Sequence, residues 1–100
     1  MPTRQLPGLL FRRAEVARIL GITPATVKNR EKSARYPEPR RDVITQWRVY
    51  TLSDVINLQL LTHRVIDPTR IAEVMYDKGY RDPKVVGQLI RQEINRKSGR

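Results

Sequence analysis

Thr23, Ala25, Thr26, Lys28, Asn29, Arg30 and Lys32 fall within ten residues of one another. Carried on one short helix, such a set can meet the edges of stacked bases. Threonine methyls and alanine touch thymine methyls, asparagine pairs with adenine, and arginine or lysine pairs with guanine. Arg35, Arg40, Arg41 and Arg48 follow in a segment that is not helical. Guanidinium groups placed there can hold phosphates or enter a minor groove. Other chemistries find no support. Cysteine is absent, which excludes disulfides and thiolate metal sites. The single histidine, His63, cannot form a histidine cluster. Asp54, Asp67 and Asp82 stand at helix starts, the last two directly before proline, which is what capping alone produces. No paired carboxylates, Ser–His or Cys–His set or phosphate loop is legible, so neither catalysis nor a cofactor or metal is expected.

Elements of defined kind must position these residues. Val16, Ile19 and Leu20, with Ala17 beside them, recur at helical spacing and predict a helix over Arg12–Leu20, stopped by Gly21. Thr23-Pro24 is a cap followed by proline at the first helical position, so a second helix should run from Pro24 to about Ser33. Ala25, Val27 and Ala34 are its candidates to face a core. Pro37 and Pro39 forbid a helix next. Strands near 40–44 and 47–50 are expected from Val43-Ile44 and Trp47–Tyr50, joined as a hairpin through Thr45-Gln46. Thr51 and Asp54 resemble a capping box opening a helix to about Arg64, with Val55, Ile56, Leu58, Leu60 and Leu61 buried. Asp67-Pro68 opens a fourth helix, to about Lys78, with Ile71, Val74 and Met75 inward. Asp82-Pro83 opens a fifth, to about Arg96, with Val86, Leu89, Ile90 and Ile94 on one face. The lone Trp47 is expected in or near the core. Tyr36 and Tyr50 should have packed rings and outward hydroxyls, and Tyr76 and Tyr80 should close the turn at Gly79.

The chain has 100 residues and a net charge of +10. Residues 1–50 carry 11 basic and 4 acidic side chains, against 9 and 6 in residues 51–100. The excess in the first half points to a polyanion there. At 39% hydrophobic residues there is material for one small core. No apolar run nears the ~18 residues of a membrane span. Met1–Leu10 is too short and too proline-broken for a secretory segment, so a cytoplasmic, nucleoid-associated location is expected. Residues 1–9 read as an arm and 10–100 as one domain, with a helix-turn-helix over 12–34, a wing over 35–50 and further helices over 52–96.

A resemblance is carried by residues 11–27, Phe-Arg-Arg-Ala-Glu-Val-Ala-Arg-Ile-Leu-Gly-Ile-Thr-Pro-Ala-Thr-Val, then Pro39-Arg40-Arg41, then Trp47-Arg48-Val49-Tyr50-Thr51 with Asp54-Val55. This order resembles the winged-helix DNA-binding domain of the MerR superfamily, whose pattern is shared by excisionase-like and phage regulatory proteins. It covers roughly residues 10–64. The wing exit, Trp47, Arg48, Tyr50, Thr51 and Asp54, is its more specific part. The resemblance implies a mainly α winged helix-turn-helix with extra C-terminal helices. The second helix would enter the major groove, and Arg48 and Tyr50 would contact phosphate. The chain departs from the family at Gln46, where the family has glycine. It also lacks cysteine and a long C-terminal dimerisation helix, because Gly79 and Pro83 break the chain.

The expected function is sequence-specific binding of double-stranded DNA, in transcription control or as an excision, transfer or packaging accessory. Arg30 and Asn29 are expected to read bases. Expected partners are DNA, a second copy of the chain on DNA, and a recombinase or RNA polymerase; no membrane is expected. A small basic RNA-binding protein is one rival. A protein-interaction adaptor is another, and it requires an exposed apolar patch on Ile71, Met75, Leu89 or Ile90. The basic stretch Arg91–Arg100 is either a frayed solvated end or a further phosphate contact.

Overall fold

In the computed structural model, which describes residues 9–98, helices begin where an oxygen can take up the free N–H groups of a first turn. Before α1 (Arg13–Leu20), the Glu15 carboxylate reaches back to the Arg12 N–H at 2.8 Å. The Thr23 hydroxyl accepts the Thr26 N–H at 3.2 Å and opens α2 (Pro24–Lys32). Thr51 and Asp54 form a reciprocal box for α3 (Leu52–His63), each side chain accepting the other's N–H at 3.1 and 3.0 Å. Asp67 Oδ1 caps α4 (Pro68–Asp77) by accepting the Thr69 N–H at 3.1 Å, and Asp82 Oδ1 accepts the Lys84 N–H at 3.0 Å at the head of α5 (Pro83–Ser98). The cap-then-proline signals therefore mark helix starts, and the three aspartates work as caps. The stretch from Arg91 continues α5 to Ser98 rather than fraying, and Lys97 Nζ donates to Ser53 Oγ at 2.8 Å. The arm read over residues 1–9 lies outside the described residues except for Leu9, which packs against the core.

The helices share one core. α1 packs on α2, α3 and α4, and α5 closes over α3 and α4. Val16, Ala17, Ile19 and Leu20 of α1 are buried, as are Ile71, Val74 and Met75 of α4 and Val86 and Ile90 of α5. Leu89 is partly buried, so the apolar faces of α4 and α5 are spent on the core. The patch that an adaptor would need is not on the surface.

Two expected faces need correction. In α2 only Val27 is buried, while Ala25 and Ala34 are exposed. In α3 Leu61 is 51% exposed, and the buried position beside it is Gln59. Its amide spans the turn after α3, donating from Nε2 to the Asp67 carbonyl at 3.0 Å and accepting the Asp67 N–H at 3.1 Å. A buried amide with both ends satisfied is tolerated where an unpaired one is not.

After α2, β1 (Arg40–Arg41) and β2 (Arg48–Val49) pair antiparallel, with Arg40 opposite Val49 and Arg41 opposite Arg48. Both strands are shorter than expected. Asp42 Oδ1 accepts the N–H groups of Ile44 and Thr45 at 2.8 and 2.9 Å, and this local turn wins over the strand preference of Val43 and Ile44. Those two residues form the hairpin tip. Gln46, one position before Trp47, takes φ +64° and closes the loop in the left-handed conformation that glycine adopts without strain. Phe11, fully buried, ties the start of α1 to the hairpin exit through paired backbone bonds with Tyr50, of 2.7 and 2.9 Å.

Candidate nucleic-acid interface

The α1–α2 turn is fixed by Gly21, at φ +74°, where the Ile22 N–H reaches the Ala17 carbonyl at 3.0 Å. A side chain at that φ would cost about 1–2 kcal/mol. Val27 then anchors α2 against the core by one face. The opposite face carries Ala25, Lys28, Asn29 and Lys32 at i, i+3, i+4 and i+7, all exposed. Thr23 and Thr26 stand at its N-terminal edge and are engaged in the cap, their hydroxyls 2.9 Å apart.

Arg30 lies elsewhere. Its guanidinium donates to the Tyr36 hydroxyl at 2.9 Å and sits 5.6 Å from the centre of that ring. It buttresses the loop leaving α2 instead of joining the solvated face. Tyr36 is buried, and its hydroxyl bonds inward to Thr62 as well as Arg30, not outward.

α2 ends with Ala34 in the left-handed conformation at φ +64°, the Arg35 N–H bonding the Arg30 carbonyl at 2.9 Å and the Ala34 N–H bonding that of Glu31 at 3.2 Å. Glycine suits this position better than alanine. Ala34→Gly is expected to raise stability by roughly 0.5–1 kcal/mol, the relief of backbone strain exceeding the added freedom of the unfolded chain. Thermal unfolding should show a rise of a few degrees; a fall would mean that the turn carries no such strain.

Tyr50 is also buried, 3% exposed, and its hydroxyl donates to Glu31. The phosphate contact implied for it is therefore not open to it: its phenol is committed to the interior. Burial, then the hydrogen bond to Glu31, pushes its pKa up to about 12. Arg13 donates to the other oxygen of Glu31 at 2.8 Å. This Arg13–Glu31–Tyr50 group pins α1, α2 and the hairpin exit together. It also pairs the Glu31 carboxylate of α2 with a cation.

Between α2 and the hairpin runs a shallow cleft of about 210 Å³. Lys28 and Lys32 line it from α2, Arg41 and Arg48 from the hairpin, and Arg13 from α1. Glu31 and Glu38 are the acidic residues on its wall. Arg41 and Arg48 face each other directly across the ladder. Like charges so placed destabilise a strand pair, so an anion between them would relieve a standing cost. Arg41 also donates to the Gln46 carbonyl at 3.2 Å. Arg40 points away and pairs with Asp54 at 2.9 Å, which leaves it less free to hold an external anion. Arg35 is exposed beyond the end of α2.

Three nearby residues were not among the expected site residues as the structure places them. Arg13 sits at the first position of α1, where a cation opposes the helix dipole, and it pairs with Glu31. Trp47 is 57% exposed rather than in the core. The Arg12 guanidinium covers its ring at 4.7 Å, which lets an exposed indole persist beside the hairpin.

Comparison with family models, curated proteins and solved structures finds no match to this chain. Among the described residues, no helix is long and apolar enough to cross a membrane.

Proposed function

We propose that this chain is a winged helix-turn-helix protein that binds double-stranded DNA sequence-specifically. α2 enters the major groove, and the β1–β2 hairpin lies as a wing along the phosphates. One observation carries the reading: Lys28 and Lys32 of the solvated face of α2 and the opposed pair Arg41–Arg48 line one cleft, and of its two carboxylates Glu31 is paired with Arg13. Ala25, Lys28, Asn29 and Lys32 then meet base edges, and Arg35, Arg41 and Arg48 hold phosphates. Arg40 and Tyr50 support the wing from behind. Transcription control, or accessory work in excision, transfer or packaging, fits such a module. Its partners would be a second copy on DNA and a recombinase or RNA polymerase.

The electrostatic part has a numerical test. If Arg35, Arg41 and Arg48 displace counterions from phosphates, the logarithm of the binding constant should fall with that of salt at a slope of about −3. Arg48→Ala should weaken all duplex sequences alike and flatten the slope by about one unit, as should Arg41→Ala. Fluorescence anisotropy with a labelled duplex across a salt series reads both. Slopes unchanged in both variants would remove the hairpin from the interface.

A further inference from the structure

The hairpin tip places two β-branched apolar side chains where a basic hairpin has no folding use for them. Val43 and Ile44 are 87% and 90% exposed, the two most open large apolar residues in the described chain. They do not belong to the core, and they do not pair in the ladder. The loop that presents them is nonetheless held firmly. Asp42 Oδ1 takes the N–H groups of Ile44 and Thr45, and Gln46 Nε2 donates to the Val43 carbonyl at 3.1 Å. The Trp47 N–H bonds Thr45 Oγ1 at 3.2 Å, and the Asp42 N–H bonds the Trp47 carbonyl at 2.9 Å. Behind the tip stand Arg41 and Arg48 on one face and the Arg12–Trp47 stack at the side. The one carboxylate of the tip, Asp42, is spent on the loop's own N–H groups. An apolar point on a cationic collar has no use for phosphate itself. It suits the space between two base pairs once the collar has docked on the backbone.

We infer that Val43 and Ile44 form a wedge that enters the minor groove of duplex DNA, partly unstacks one base step and bends the helix. This rests on the DNA-binding reading above and adds to it a binding site at the tip and a mechanical effect. Apolar side chains inserted between base steps kink a duplex by about 20–90°, most readily at flexible pyrimidine–purine steps. The preformed loop means that little ordering is needed on insertion. A protein partner for the tip is the competing occupant, but the arginines surrounding it favour a polyanion.

The test separates binding from bending. A 30-base-pair duplex carrying the sequence enriched by selection is labelled at both ends for energy transfer, and 2-aminopurine is placed at successive steps near its edge. The intact chain should shorten the end-to-end distance to match a bend of about 20° or more and raise 2-aminopurine fluorescence at one step. The double variant Val43→Ser, Ile44→Ser changes only exposed side chains. It should keep affinity within about tenfold, with the same salt slope, and leave the duplex straight. A duplex that stays straight with the intact chain bound overturns the wedge while leaving the DNA-binding reading intact. So does a double variant that bends it equally. Failure to bind any duplex overturns both.

Discussion

Glu31→Ala is expected to destabilise the protein more than any change on its solvated surface, by about 2–3 kcal/mol. The Glu31 side chain is 7% exposed and holds Arg13 and Tyr50 from its two oxygens. Its removal leaves a guanidinium and a phenol without their acceptor inside the junction of α1, α2 and the hairpin. Breaking a buried charged pair in this way costs about 3–5 kcal/mol, reduced here because Arg13 retains some access to water. In a 100-residue domain the loss should lower Tm by roughly 10–20 °C. The Tyr50 phenol gives the same junction a pH dependence. Its folded pKa, about 12, lies above the unfolded value near 10. The contribution is therefore complete below pH 10 and fades as pH rises toward 12. Thermal unfolding of the intact chain and of Glu31→Ala between about pH 7 and 12 checks both points. A loss below about 1 kcal/mol would mean that the three groups merely touch.

Asn29→Ala should weaken binding to the cognate duplex by about 1–3 kcal/mol and to random duplex by much less, because an asparagine that pairs with adenine discriminates only when that base is present. Asn29 stands in the middle of the solvated face of α2, between Lys28 and Lys32. Arg30 should behave differently. Its bond to Tyr36 assigns it to the loop after α2, so Arg30→Ala should lower stability and shift affinity alike for both sequences. Titrations of each variant against the two duplexes separate the roles. A base-specific loss in Arg30→Ala, with none in Asn29→Ala, would mean that α2 presents a different face.

Capping chemistry was the most readable layer of the sequence. Thr23-Pro24, Thr51 with Asp54, Asp67-Pro68 and Asp82-Pro83 mark starts that depend on short-range bonds, and such bonds need no knowledge of the rest of the chain. Failures occurred where a distant or competing partner decided the outcome. Val43 and Ile44 look like strand because their propensity says so, and the Asp42 side chain overrides it from one residue away. Leu61 was expected inward but is exposed, because Gln59, satisfied by the Asp67 backbone, takes the buried position. Arg30 and Tyr50 have the right types for nucleic acid, but Tyr36 and Glu31 claim them first. Periodicity alone would have set Arg30 apart, since Val27 and Arg30 are i, i+3 neighbours and Val27 is the helix's anchor.

Selection from a pool of random duplexes, with structured RNA present as competitor, tests the central claim most directly. The account predicts that one family of duplex sequences is enriched, bound about a thousandfold or more tighter than random DNA, and not displaced by the RNA. No enrichment, or equal displacement by RNA, would contradict it.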